Sequence, residues 1–187
     1  LFFSHQLLIP SGILIAMVSI FLNQRLYLLL YHHTNEYGGE ILRWCLITIV
    51  PYFITHIYGT MLTATGNIKL FMWIVLLSAI INIVANFLII PLLGAEACVI
   101  ISLCTQSLLA VLTIISTKKQ TGLSIGGLLW FKYFIIGVIV AASLFLLSKT
   151  TLGIWGILLS VVCIWLAAMN LLQIFSIRSF LKLMNEN

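Results

Sequence analysis

Six long apolar runs limit the possible folds of this chain more than any other feature of its sequence. The hydrocarbon core of a bilayer is crossed by about 20 helical residues. The runs that reach this length are Leu7–Leu30, Ile41–Thr63, Leu70–Leu93, Ala95–Thr117, Trp130–Leu147 and Leu152–Phe175. They are too long and too continuously apolar for the alternating strands of a membrane barrel. The sequence therefore predicts an all-α integral membrane protein with six transmembrane helices.

The composition agrees with a membrane protein and weakens a nucleic-acid role. Apolar residues make up 63% of the chain and charged residues 7%, whereas soluble domains have about 45–50% and 25%. The net charge is +5, but lysine and arginine in a membrane protein mainly report its orientation. We expect the bilayer as a partner and no nucleic acid.

Basic residues in the loops predict the orientation. The side that holds the chain's N-terminus receives six of them, and the opposite side receives three. The six are Lys69, Lys118, Lys119, Lys132, Arg178 and Lys182, and the three are Arg25, Arg43 and Lys149. This asymmetry predicts that both ends of the chain lie in the cytoplasm.

A glycine-rich connection suggests how the spans are grouped. We expect four spans within residues 1–117, a cytoplasmic loop over 118–129, a transmembrane hairpin over 130–175 and a cytoplasmic tail over 176–187. The chain begins at Leu1 without a methionine. The expectation is therefore a fragment that lacks an N-terminal part.

Polar residues at membrane depth are candidates for function because they are costly in lipid. Asn82 and Asn86 are four residues apart and share a helix face; they either bond to a neighbouring helix or line a hydrated cavity. His56 follows Pro51, which can kink the helix, and is either a proton-relay or substrate-contact residue or a neutral ring bonded to a carbonyl. Gln106 lies midway along the fourth span and is expected to face the bundle interior.

Two arginines flank the loop between the first two spans. Arg25 and Arg43 lie near Glu36 and Glu40, and the spacing of Glu40 and Arg43 allows an ion pair on one helix face. The alternative is that the arginines give positive potential to the mouth of a path for an anionic substrate.

Catalytic and metal-binding patterns are not found in the sequence. The chain contains no aspartate, no glycine-rich phosphate loop and no nucleophile–histidine arrangement, and the pair His32–His33 lacks a third ligand. The cysteines are scattered singly, which favours packing roles; they are Cys45, Cys98, Cys104 and Cys163. We expect no catalytic residue, metal or cofactor, and coupling to protons or sodium stays open.

The stretch LTATGNIKLFMWIVLLSAIINIVANFLIIPLLGAEACVIISLCTQSLLAVLTIISTKK resembles the second lobe of the multidrug/oligosaccharidyl-lipid/polysaccharide flippase superfamily. The similarity is greatest to the polysaccharide (O-antigen, Wzx-type) flippases. It rests on a small loop, spaced asparagines, a proline near the helix end and a run of small residues. These are Ala64, Gly66 and Lys69; Asn82 and Asn86; Pro91; and Gly94, Ala95 and Ala97, with departures at Glu96 and Cys98.

The resemblance implies a fold of two six-helix lobes around a central cavity, often with two extra helices. The six spans would then be helices nine to fourteen: four from the second lobe and a C-terminal pair. The third span, which carries the two asparagines, would run from cytoplasm to periplasm and end at Pro91 and Gly94. The basic residues in the loops indicate the same direction for it. Its partner would be an N-terminal lobe of the same chain.

The function implied by the resemblance is alternating-access export of an undecaprenyl-pyrophosphate-linked oligosaccharide across the bacterial inner membrane. It would serve surface polysaccharide biosynthesis, with polysaccharide assembly proteins as further partners. The candidates for sugar contacts or helix packing are His56, Asn82, Asn86 and Gln106, and those for the anionic moiety are Arg25 and Arg43.

Two other functions stay open at this point. A cation-coupled multidrug exporter of the same superfamily is expected to carry an acidic residue within the membrane, and Glu96 lies only at a span edge. A polysaccharide polymerase or ligase is expected to have a large periplasmic loop or clustered histidine, arginine and aspartate. A transporter rather than an enzyme is therefore the favoured interpretation.

Overall fold

The computed structural model describes residues 2–33, 35–122, 126–150, 153–172 and 174. In these ranges the chain forms seven α-helices and no strand, which confirms the all-α prediction. The helices are α1 (Phe2–Tyr31), α2 (Glu36–Ile47), α3 (Ile49–Ala64), α4 (Ile68–Leu93), α5 (Ala95–Thr121), α6 (Gly127–Ser148) and α7 (Ile154–Leu171).

Within the described ranges, six helical segments are long and apolar enough to cross a membrane, as predicted, with α2 and α3 together forming one of them. The connection expected over residues 118–129 is shorter, because α5 continues through Thr121 and α6 begins at Gly127. The last span ends at Leu171. The predicted tail, residues 176–187, lies outside the described residues.

The second span is broken at Thr48, between α2 and α3. Pro51 has no N–H to donate to the carbonyl of Ile47, and its ring crowds that carbonyl, so the helical hydrogen-bond ladder fails at this turn. Thr48 Oγ1 also donates to the carbonyl of Trp44 at 3.0 Å, a bond that often accompanies a helix bend. Thr48 itself keeps helical backbone angles, φ −62° and ψ −17°, so the bend that Pro51 can cause stays a prediction.

The chain divides into two compact units, residues 1–125 and 126–187. In the first unit, α5 packs against α2, α3 and α4, and α1 packs against α2 and α3. The buried face of α5 repeats every four residues and consists of small and branched side chains, which let membrane helices approach closely. Its members are Ala97, Ile101, Thr105, Leu109, Thr113 and Thr117.

Two glycines make the turns at the ends of α3 and α4. Gly66 has φ 80°, and the N–H of Asn67 donates to Leu62 O at 2.9 Å while that of Gly66 donates to Thr63 O at 3.1 Å. This pair of bonds is a Schellman motif, in which the left-handed position favours glycine.

Gly94 closes α4 with φ 67° and ψ −149°, a region essentially restricted to glycine. Its N–H donates to Ile90 O at 2.8 Å. The helix ends at Leu93, where the predicted span ended, and Pro91 lies within its last turn. A proline removes one backbone donor, and in the last turn that loss does not unwind the helix.

The second unit consists of α6 packed against α7. Its core is formed by apolar residues at helical spacing: Ile136, Val140 and Leu144 on α6, and Ile157, Val161 and Trp165 on α7. Lys132 Nζ donates to the carbonyl of Leu172 at 2.8 Å. A cation at this position is favourable because the last carbonyls of a helix carry partial negative charge.

Candidate functional site

A polar stripe runs along the exposed side of α3. Tyr52, His56 and Thr60 follow one another at intervals of four residues and are all exposed. The rings of Tyr52 and His56 stack with centroids 6.4 Å apart and planes 9° from parallel. Thr60 Oγ1 donates to the carbonyl of His56.

The His56 ring forms no hydrogen bond with any other described residue. The structure therefore does not show the hydrogen bond to a neighbouring carbonyl that was one of the two interpretations of His56 from the sequence.

A cavity of about 350 Å³ lies beside this stripe. We call it the His56 cavity, and its polar and aromatic lining consists of Tyr52, Thr55, His56, Thr60, Thr63, Phe71 and Gln106. These residues come from α3, α4 and α5. The cavity is therefore formed where three helices of the first unit meet.

A second cavity, of about 340 Å³, lies between α4 and α5. We call it the Asn82 cavity, and its polar lining consists of Ser78, Asn82, Ser102, Thr105 and Gln106. Gln106 and Leu109 line both cavities. The two cavities are therefore adjacent, with Gln106 at their boundary.

Asn82 connects two helices and also faces this cavity. Its Nδ2 donates to Thr105 Oγ1 at 2.9 Å, and Thr105 Oγ1 in turn donates to the carbonyl of Ile101 at 2.9 Å. Asn82 thus bonds to the neighbouring helix, as one interpretation from the sequence predicted, and it also lines a cavity.

Asn86 differs from Asn82 because its bonds stay within α4. Its Nδ2 donates to the backbone oxygen and to Oδ1 of Asn82, each at 2.9 Å. It is absent from the linings of both cavities. Its effect on a ligand there would be indirect, through the orientation of the Asn82 amide.

The two arginines line neither cavity. Arg43 forms the expected ion pair with Glu40, and its guanidinium lies 5.1 Å from the ring centroid of Trp44. Glu40 Oε1 also accepts a hydrogen bond from Asn23 Nδ2 at 3.1 Å. Arg25 is exposed on α1. Because Glu40 offsets the charge of Arg43, that arginine is poorly suited to attract an anion.

Sequence reasoning missed several hydroxyl groups that line the cavities. Ser78 precedes Asn82 by four residues, and Thr60 follows His56 by four, so each extends a polar stripe that the sequence already contained. Thr55 has no such neighbour in the pattern. Serine and threonine are easily overlooked in membrane spans, because their hydroxyl groups often bond to the preceding turn and are then inexpensive in lipid.

The linings can form hydrogen bonds and aromatic contacts but offer no pattern for catalysis. No group of three or more His, Cys, Asp or Glu that could hold a metal occurs among the described residues. The four cysteines are free and exposed, so the expectation that they act as packing residues is wrong.

Comparison with known proteins gives one family. The model of the MatE family, which falls within the flippase superfamily, matches residues 3–88, a little under half of the chain. The match covers α1, α2, α3 and most of α4. No curated protein and no solved structure matches the chain. The match supports a membrane transporter, since the members of this family are transporters rather than enzymes.

Proposed function

We propose that this chain forms part of a transporter that exports an undecaprenyl-pyrophosphate-linked oligosaccharide for surface polysaccharide biosynthesis. The observation that carries the proposal is the pair of adjacent cavities, whose linings combine amide and hydroxyl groups with apolar side chains. The match to the MatE family and the resemblance of residues 62–119 to polysaccharide flippases support it.

The physical problem for such a transporter is the polar headgroup of the substrate. Sugar hydroxyls and a pyrophosphate cannot cross hydrocarbon unaided, because they would lose their water without compensation. A hydrated path lined by amides and hydroxyls replaces those hydrogen bonds, while the lipid tail stays in the bilayer. Rocking of two lobes around a site near the membrane midplane would then expose the headgroup to each side in turn.

In this proposal His56, Asn82 and Gln106 contact the sugars, and Asn86 positions Asn82. Arg25 and Arg43 are the candidates for the anionic moiety, with the charge of Arg43 offset by Glu40. The lobe on the other side of the cavity would be an N-terminal part of the same protein. We place the protein in a bacterial inner membrane with both ends of the chain in the cytoplasm, and polysaccharide assembly proteins would be its partners.

A cation-coupled multidrug exporter is the competing function. Such an exporter needs a carboxylate within its transport path to bind the coupling ion. Neither cavity is lined by Asp or Glu among the described residues, and Glu96 lies in the first turn of α5. The lining thus favours a sugar substrate. Proton or sodium coupling through other parts of the protein is compatible with this view.

The test is to introduce His56→Ala and Asn82→Leu separately into the chromosomal gene. Each should lower the amount of surface polysaccharide by about threefold or more, which is the effect of losing one favourable hydrogen bond. The readouts are surface polysaccharide on gels and the level of the membrane protein on immunoblots. Unchanged polysaccharide in both strains would contradict the proposal.

Thr105→Val is the matched control for Asn82→Leu. It breaks the same bond between α4 and α5 but leaves the Asn82 amide in the cavity. A role in substrate contact predicts a larger loss of polysaccharide for Asn82→Leu at equal protein level. Equal loss of the protein in both strains would instead assign Asn82 to helix packing.

A further inference from the structure

A third cavity adjoins the His56 cavity in the first unit. It has a volume of about 510 Å³ and lies between α1 and α3, so we call it the α1–α3 cavity. Its polar lining consists of Ser4, His56, Thr60 and Thr65. His56 and Thr60 also line the His56 cavity. His56 is therefore shared by two adjacent cavities, as Gln106 is shared by the His56 and Asn82 cavities.

The α1–α3 cavity extends from His56 to the C-terminal end of α3. Its lining includes Thr65, which is the C-cap of this helix. The two residues are nine positions apart, which is about 14 Å at 1.5 Å per helical residue and close to half of the hydrocarbon thickness of about 30 Å. The basic residues in the loops predict that this end of α3 faces the cytoplasm. The cavity thus links His56 with that side of the membrane.

The α1–α3 cavity is suited to water. Its volume has room for on the order of ten water molecules at about 30 Å³ each. The residues of its polar lining, His56 included, are all exposed. Their hydroxyl groups can accept hydrogen bonds from water even where they donate to the backbone. Polar partners of this kind are what a cavity needs in order to hold water.

The ring of His56 is available for protonation. It stacks on the ring of Tyr52 with centroids 6.4 Å apart, and this stacking orients it. Neither ring nitrogen bonds to another described residue. Histidine ordinarily changes its charge close to neutral pH, which distinguishes it from hydroxyl and amide side chains. Water in the cavity can therefore bring a proton to this ring.

The surroundings of His56 contain no fixed charge. Among the described residues that line the three cavities there is no lysine, arginine, aspartate, glutamate or cysteine, and Tyr52 is the other titratable residue. The helices α2 and α5 contribute no titratable residue to these linings. On α1, His5 packs against the ring of Tyr58 with centroids 6.1 Å apart, and on α4, Lys69 lines a separate cavity. Within these described linings, His56 is thus the one group that can become a cation near neutral pH.

An imidazolium in this place needs an anion. A charge removed from bulk water is costly unless an opposite charge accompanies it, and the described linings supply no carboxylate. The lipid-linked oligosaccharide of the proposed function carries a pyrophosphate, and its sugars can carry carboxylates. A hydrogen bond with an ionised partner is about twice as strong as one between neutral groups. The protonated ring therefore suits an anionic group of the substrate better than a neutral sugar.

We propose that His56 binds an anionic group of the transported lipid, a phosphate or a carboxylate, only while its ring is protonated. The proton comes from water in the α1–α3 cavity, and the imidazolium then donates a hydrogen bond to an anionic oxygen in the His56 cavity. When the proton returns to water, the charge is lost and the anion is released. This inference rests on the proposed function and adds a charge switch to the contacts proposed there. Arg25 and Arg43 line none of the three cavities, so neither supplies a charge at this place.

The first test measures water access to the ring. Hydrogen–deuterium exchange at the C2 position of each histidine is followed by mass spectrometry on the full-length protein in nanodiscs. His56 should exchange at a rate close to that of His32 and His33, which are exposed after α1. His5, which is 1% exposed, is the internal control and should exchange far more slowly. A rate for His56 as low as that of His5 would overturn the proposal.

The route of the water is tested by filling the α1–α3 cavity. Ala64 lines this cavity and is exposed, so Ala64→Trp should slow the exchange of His56 toward the rate of His5. Ala167→Trp is the matched control, because Ala167 is exposed on α7 and lines none of the three cavities. Unchanged exchange in Ala64→Trp would overturn the proposed route of the proton.

The second test measures lipid binding by microscale thermophoresis on either side of the ordinary histidine titration, at about pH 5.5 and 8.5. The probes are uncharged undecaprenol, undecaprenyl pyrophosphate, and the pyrophosphate lipid carrying either N-acetylglucosamine or glucuronic acid. At the lower pH, His56→Gln should bind the anionic probes about ten- to a hundredfold more weakly than the wild type, the effect of one hydrogen bond to a charged group. At the higher pH the two proteins should bind alike, because the wild-type ring is then neutral.

Two further variants separate charge from structure. His56→Arg carries its charge at both pH values and should bind the anionic probes tightly at both. His33→Gln removes a histidine that lines none of the three cavities and should behave like the wild type. A loss with undecaprenyl pyrophosphate itself assigns the contact to a phosphate, and a loss confined to the glucuronic acid lipid assigns it to a carboxylate.

The failures of the two proposals differ. If the wild type binds the pyrophosphate lipids more tightly than undecaprenol but His56→Gln matches it at the lower pH, the role of His56 is wrong and the proposed function stands. If the wild type binds none of the pyrophosphate lipids more tightly than undecaprenol, both the role of His56 and the proposed function are contradicted.

Discussion

At the scale of single residues, a neighbouring side chain decides what a polar group can do. Arg43 carries a full charge, but Glu40 pairs with it and the ring of Trp44 covers it. His56 stacks on the ring of Tyr52 but has no ion-pair or hydrogen-bond partner for its own ring among the described residues, and it is exposed beside a cavity. The two residues looked alike as candidates in the sequence, and only their surroundings separate them.

Gly66 allows a test of how much the left-handed backbone conformation of one residue contributes to stability. Its φ is 80°, and a methyl group added there would meet no atom within 4 Å. Gly66→Ala should therefore lower the free energy of unfolding by about 1–2 kcal/mol, the cost of a left-handed conformation for an L-residue. The measurement is unfolding in SDS, followed by tryptophan fluorescence.

Gly66→Asn is the matched variant, because asparagine tolerates the left-handed region better than alanine. It should destabilise the protein less than Gly66→Ala does. Equal stability of wild type and Gly66→Ala would show that the turn does not need a positive φ.

At the scale of helices, two polar stripes define the site. Tyr52, His56 and Thr60 follow one face of α3, while Ser78 and Asn82 follow one face of α4. Gln106 on α5 lies between them. Each stripe is a local pattern with a period of about four residues. The cavities themselves form only because α5 packs against both α3 and α4.

The break at Thr48 gives a prediction for the second span. Pro51→Ala restores the missing donor to the Ile47 carbonyl, so α2 and α3 should join into one straighter helix. In a variant without the native cysteines, spin labels at the exposed positions 37 and 63 should then lie about 39 Å apart, measured between backbone positions at 1.5 Å per residue. Electron–electron resonance distances before and after the change check this.

Pro10→Ala in the same labelled protein serves as the control. Pro10 lies within α1, outside the labelled span, so the distance between positions 37 and 63 should stay at its original value. If Pro51→Ala also leaves this distance unchanged, the break has another cause than the proline.

At the scale of the whole molecule, the described chain consists of two helical units within a multi-pass membrane protein. The two cavities belong to the first unit alone. The second unit has a closely packed apolar core between α6 and α7.

The class of transporter can be tested at Glu96. This residue lies in the first turn of α5, where a carboxylate is stabilised by the helix dipole by about 0.3–1 kcal/mol. We therefore expect a small structural role, and Glu96→Gln should leave surface polysaccharide within about twofold of the wild type. The strain with His56→Ala is the comparison that should show a loss.

Drug resistance is measured in the same strains. Increased sensitivity to cationic drugs in Glu96→Gln, with normal polysaccharide, would favour the multidrug exporter over the flippase.

The sequence by itself determined the membrane setting, the all-α class and the six spans. These follow from the length and hydrophobicity of local segments, because a lipid environment requires every backbone group to bond within its own helix. The polar residues His56, Asn82 and Gln106 could likewise be selected, since their cost in lipid is a property of the side chain.

Tertiary structure alone decided how these residues are combined. That Asn82 bonds to Thr105, that Gln106 lines both cavities and that Thr55 and Ser78 lack partners all depend on which helices touch. Lipid-facing and protein-facing surfaces are similarly apolar, so hydrophobicity does not reveal the helix contacts. Those contacts arise from packing between residues far apart in the chain, and this is why the site could not be assembled from the sequence.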